Sequence, residues 1–116
     1  MKEYFIMILV ALSFNVLDLI TGFISAVYNK NIMSSKLRDG LFKKVGFIIC
    51  YILGFMVDTE GQLIGLNLGV KILPIIIVGA VLTEIASLVE NITKINSNAI
   101  PDKIKEIFNL TNTKEG

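Results

Sequence analysis

ILPIIIVGAVLTEIASLVEN, residues 72–91, decides what kind of protein this is. From Ile72 to Leu82 every side chain is aliphatic apart from Pro74 and Gly79. A helix rises about 1.5 Å per residue, so a stretch of this length crosses a hydrocarbon core of roughly 30 Å. Its second half nevertheless carries Thr83, Glu84, Ser87, Glu90 and Asn91. A carboxylate at mid-membrane depth costs about 2.5–3.5 kcal/mol on insertion scales, so it must face protein or water. The segment belongs in a bilayer and turns one face away from lipid.

The rest of the chain agrees. Its 116 residues are 53% hydrophobic with a mean hydropathy of +0.71, more apolar surface than a globule of this size can bury. The apolar residues fall in blocks at 4–28, 45–57 and 63–89. We expect an all-α membrane protein with three transmembrane helices, at about residues 4–28, 42–58 and 66–90, with residues 63–71 near one interface and the bilayer crossed from about Ile72 onward. The middle block crosses if Leu41 and Phe42 join it and Lys43 and Lys44 snorkel to the interface. Gly61, Gly65 and Gly69 recur every four residues, which makes either a GxxxGxxxG packing stripe on a helix or a glycine-rich turn. Met1-Lys2 before an apolar run resembles a signal peptide, but Glu3 cancels the charge and no Ala-x-Ala site follows, so the first helix is expected to be retained. The chain is expected to form one membrane domain, with helices in residues 1–96 and a tail in 97–116.

Lys30, Lys36, Arg38, Lys43 and Lys44 follow the first block, and Lys94, Lys103, Lys105 and Lys114 follow the third. Between the second and third blocks there is no basic residue before Lys71. The positive-inside rule then puts the first connection and the tail in the cytoplasm and the N-terminus outside. In the tail, Pro101-Asp102 suits a helix start, and Ile100, Ile104, Ile107 and Phe108 share a side, predicting a short amphipathic cytoplasmic helix.

At about 100° per residue, Ala11, Asn15, Asp18, Gly22, Ser25, Ala26 and Asn29 share one face of the first span, bordered by Thr21. Gly79, Ala80, Thr83, Glu84, Ser87, Glu90 and Asn91 share one face of the third. A weaker stripe in the second span comprises Lys43, Cys50, Gly54 and Asp58. Each helix thus has a lipid side and a small, polar side. These faces either bind one three-helix monomer together or, if one chain cannot hide them all, meet other copies or water in an oligomer; the second is favoured. Glu84 lies deep, whereas Glu90 and Asn91 are expected at the inner interface.

Several functions are excluded. A net charge of +1 gives no bias toward nucleic acid. There is no His and a single Cys, Cys50, so no metal, cofactor or internal disulfide is expected. No nucleophile–base pattern or phosphate loop occurs in context. Asp18 with Glu84 as an intramembrane aspartyl pair lacks the surrounding motifs, so enzyme activity is not expected. A small ion-coupled exporter is kept as a weaker alternative, since such exporters usually need four spans and the sequence shows three.

Four motifs carry a resemblance. Asp18-Leu-Ile-Thr21-Gly22 is similar to D-x-x-T-G, and Ser34 to Lys44 to S-S-x-L-R-x-G-L-x-K-K. Glu84 to Asn91 is similar to E-x-x-S-x-x-E-N, and Ile100-Pro101 to an x-P before a short helix. In this order the chain resembles phage holins of the group that includes the clostridial toxin-secretion holin, from about residue 15 to 108. It departs around Asn98 to Pro101, where the family often has Gly and Pro-x-Pro. The resemblance implies a protein that accumulates in the bacterial cytoplasmic membrane, binds itself, and opens lesions through which an endolysin, or in relatives a toxin, passes without necessary direct contact. An antiholin that restrains such lesions is the alternative. Implied helix-packing or pore-lining residues are Asn15, Asp18, Thr21, Gly22, Ser25, Gly79, Thr83, Glu84 and Ser87. Ser35, Arg38, Gly40, Lys43 and Lys44 are expected to anchor the cytoplasmic loop, with Arg38 pairing a carboxylate such as Glu90 and Ser34 capping a helix that starts at Ser35.

Overall fold

The computed structural model describes residues 2–113, and their side chains as far as residue 107. Three of its helices are long and apolar enough to cross a membrane. They are α1 (Lys2–Tyr28), α2 (Ser34–Glu60) and α3 (Leu73–Ile95); a 3-10 turn, Gly61–Ile64, extends α2, and α4 (Asp102–Thr113) follows α3. There is no strand among the described residues. The architecture is all-α with three spans, as the hydropathy blocks required.

The first span starts two residues before residue 4 and ends where expected. Beyond Tyr28 the chain closes the helix with paired backbone bonds, Lys30 N–H to Val27 O (3.1 Å) and Asn31 N–H to Ala26 O (2.9 Å), with Lys30 in the left-handed region at φ 54°. This is a Schellman closure, usually built on glycine because a Cβ costs about 1–2 kcal/mol there. It reverses the chain into α2.

The second span begins at Ser34, not near 42. Ser34 to Gly40 reads as a connection by hydropathy alone, but Leu, Lys and Arg are good helix formers and nothing in the run breaks a helix. Ser34 is therefore no cap: Met33 holds the N-cap position, without a side-chain bond to the helix.

The third helix begins at Leu73, later than 66 and in keeping with a crossing from about Ile72. Pro74 sits in the first turn, where an N–H is not needed. The cap comes from another helix: the Asp58 carboxylate accepts the Ile72 N–H at 2.9 Å and the Leu73 N–H at 2.7 Å. Gly65 and Gly69 have φ of 79° and 78°, so the glycine series forms the turn between spans and not a helical packing stripe.

α1 packs most extensively on α3, with α2 against both. α2 is antiparallel to α1, since Asn15 meets Tyr51 and Asp18 meets Lys44. The buried core is small, with Ala11, Tyr51, Leu73, Ile77 and Ala80 at its centre; two alanines there let helix backbones approach closely, as in-membrane packing requires. Tyr4 and Phe5 close the α1–α2 seam on Phe55, with ring centroids 6.2 and 5.5 Å apart. Leu9, Phe42, Ile75 and many other large apolar side chains point outward, the inverse of a water-soluble bundle.

Candidate functional site

The polar faces meet around one cation. Lys44, on α2, lies 2.7 Å from Asp18 Oδ2 of α1 and 3.1 Å from Glu84 Oε2 of α3. Lys44 is only 6% exposed and Glu84 1%. The bond to Asp18 is a short charge-assisted hydrogen bond. The contact with Glu84 is an ion pair without hydrogen-bond alignment, and Glu84 Oε2 has no hydrogen-bond donor. Asn91 of α3 donates to Asp18 Oδ1 at 3.0 Å, to Thr21 Oγ1 at 3.2 Å and to the Asp18 carbonyl at 3.4 Å. Further along, the Tyr51 hydroxyl donates to Asn15 Oδ1 at 3.0 Å, while Asn15 Nδ2 is buried with no partner among the described residues. The network ties all three spans together through groups that are buried or half-buried in the bundle.

The sequence-predicted packing residues divide. Asn15, Ser25 and Glu84 are buried; Asp18, Thr21, Gly22 and Ser87 are half-buried in the bundle. A Cβ on Gly22 would sit 3.5 Å from Asn91 Nδ2, in ordinary contact. Gly79 is exposed with nothing near it, and Thr83 is half-buried, its hydroxyl donating to the Gly79 carbonyl at 2.9 Å. The face drawn for α3 thus spans two surfaces, one inside the bundle and one on its flank. One monomer hides Asn15, Glu84 and most of Asp18, while the flank of α3 at Gly79 stays uncovered.

The loop set divides too. Ser35, Arg38 and Lys43 are exposed and Gly40 is half-buried. Lys44 turns inward instead of snorkelling: its neighbour on the helix takes the outside, and its ammonium finds two carboxylates within. Glu90 pairs with Lys94 one turn on, at 3.1 Å, and not with Arg38. Asn91 joins the interior network, whereas Glu90 is exposed. In α2 the inward face is Lys44, Tyr51 and Gly54; Lys43 and Cys50 of the expected stripe are exposed. Tyr51, the counter-ion role of Lys44 and the remote cap from Asp58 escaped sequence reasoning. A seven-residue step from Lys44 to Tyr51 is the signal that offered them.

Beside the network a cleft of about 510 Å³ opens between the end of α1, the start of α2 and the end of α3. It reaches Asp18, Lys44 and Asn91 and is also lined by Lys36 and Lys94. No cluster of potential metal ligands occurs among the described residues.

The burial contrast gives a direct test. Glu84→Gln removes one of two charges facing Lys44 and is expected to lower stability in detergent by about 1 kcal/mol. Glu90→Gln alters only an exposed pair and is expected to leave the unfolding transition unchanged. Thermal unfolding followed by circular dichroism distinguishes them, and equal effects would contradict the geometry.

Fold and site define a three-span integral membrane protein whose helices are joined by a buried ionic network. The chain belongs to the bacteriophage holin family, whose model matches residues 2–112. Comparison with curated proteins and with solved structures gave no match.

Proposed function

We propose that this protein is a holin: it accumulates in the bacterial cytoplasmic membrane, assembles with copies of itself, and opens lesions that let an endolysin reach the cell wall. The observation that carries the reading is the family match over residues 2–112 on a chain whose spans carry Asn15, Asp18, Lys44 and Glu84. In the monomer these side chains turn into the bundle, where Lys44 pairs with Asp18 and Glu84, so the bundle presents an apolar flank to lipid. Lining a lesion requires that the α1 and α3 faces exchange these partners for water or for a second copy. The buried network is then the element that holds the closed monomer. The basic segments support an orientation with the α1–α2 connection and the tail in the cytoplasm and the N-terminus outside. The protein performs no chemistry on a substrate, and the endolysin need not touch it.

Induced expression in a bacterium, with a potential-sensitive dye, tests this. The expected result is normal growth followed by abrupt depolarisation. Unchanged membrane potential after confirmed insertion overturns the lesion reading, and reporter fusions that place both termini on one side overturn the orientation.

A further inference from the structure

We propose that the cleft bounded by Lys36 and Lys94 binds the phosphate headgroup of an anionic phospholipid. Its volume, about 510 Å³, lies in the range of small-ligand sites. Three lysines and one carboxylate, Asp18, are among the residues lining it. That carboxylate is already engaged by Lys44 and Asn91, and Lys44 is in turn shared with Glu84. The uncommitted charge is positive. Lys36 has no ion-pair partner among the described residues, and the Lys94 pair with Glu90 is solvent-exposed and weak. Asn31 brings a neutral amide to the same cleft.

The apolar part of the lining fits the rest of a lipid. Met33 and Leu37 stand beside Lys36, and Met33 is exposed, so a glycerol backbone and the upper acyl chains meet hydrocarbon while the phosphate meets ammonium. The cleft lies where α1 ends, α2 begins and α3 ends, the depth at which headgroups sit. Basic pockets between spans are a general mode of anionic-headgroup recognition. The start of α2 adds to the field: with no side-chain cap at Met33, its first-turn N–H groups remain open to an anion. The chemistry recognised is a phosphate oxyanion, and the apolar walls assign it to a lipid and not to free phosphate.

The test uses the full chain in a neutral detergent, with bound lipid counted by native mass spectrometry, and is independent of whether the protein forms lesions. Phosphatidylglycerol is expected to be retained in preference to phosphatidylcholine. Lys36→Gln with Lys94→Gln should weaken retention about 25-fold, about fivefold per cation, and Lys36→Arg with Lys94→Arg should restore it. Lys43→Gln with Lys103→Gln, which removes two exposed lysines outside the cleft, should change retention less than about twofold. Circular dichroism checks that each variant keeps its helix content. Equal retention of phosphatidylcholine, or equal loss in the Lys43 and Lys103 control, would overturn the site. Displacement by equimolar inorganic phosphate would assign it to a free anion and overturn the lipid reading.

Discussion

Lys44→Met is expected to destabilise the folded monomer by about 3–5 kcal/mol, more than removal of either of its carboxylate partners. The asymmetry comes from counting charges. Lys44 faces both Asp18 and Glu84, at 2.7 and 3.1 Å. Asp18→Asn or Glu84→Gln leaves a one-to-one pair, and an amide at position 18 still accepts from Asn91. Lys44→Met leaves two largely buried carboxylates converging on one site, with only the Asn91 amide to answer them. Unpaired buried charge is far costlier than a lost favourable contact. Combining Lys44→Met with Asp18→Asn and Glu84→Gln removes the charge altogether and should recover most of the loss, because an apolar or neutral replacement of a buried ionic cluster is often close to neutral. Unfolding in detergent, followed by circular dichroism, reads all four variants. A Lys44→Met protein as stable as its parent would show that the cluster does not hold the bundle. If the network does restrain lesion opening, Lys44→Met should also bring depolarisation forward in time.

The three spans were legible because the bilayer imposes a length and a polarity that hydropathy measures directly. Their limits were less so, for identifiable reasons. Ser34 to Gly40 carries the composition of a loop and the propensity of a helix, and propensity prevails because no residue in it breaks the ladder. Leu63 to Val70 carries the composition of a span, but Gly65 and Gly69 adopt positive φ, which hydropathy cannot register. The inward faces of α1 and much of α3 followed from the helical period. In α2, Gly54 was on the expected face, but Lys43 and Cys50 stood one residue from the inward Lys44 and Tyr51. Lys43 and Lys44 are chemically identical in sequence, and only one reaches carboxylates on two other helices. Partner choice across helices depends on rotation about each axis, a few tens of degrees that a helical wheel does not fix. The same limit hid the Asp58 cap, whose donors lie 14 and 15 residues further along the chain.

Gly54→Leu should be the most damaging apolar substitution in the bundle, costing at least the roughly 1–3 kcal/mol typical of overpacking. Gly54 is buried where α2 crosses the start of α3. A Cβ there would stand 3.0 Å from Ile76 Cδ1, 3.1 Å from the Leu73 Cα and 3.2 Å from Leu73 Cδ1. The Ile76 contact can yield by a rotamer change; the Leu73 backbone cannot move freely. Its N–H is held by Asp58 Oδ2 at 2.7 Å, and its side chain is fully buried. Even alanine needs a shift of the α3 backbone, and leucine forces the two helices apart, with loss of packing around Leu73 and strain on the cap. Lipid supplies no hydrophobic force to press them together again, since tails are as apolar as the side chains they would replace. Gly79→Leu provides the contrast, because a Cβ there meets nothing within 4 Å. Its effect on monomer stability should stay within about 0.5 kcal/mol. Unfolding measured in dilute detergent separates the two glycines: a Gly54→Leu protein as stable as Gly79→Leu would mean that α2 and α3 do not cross at this point.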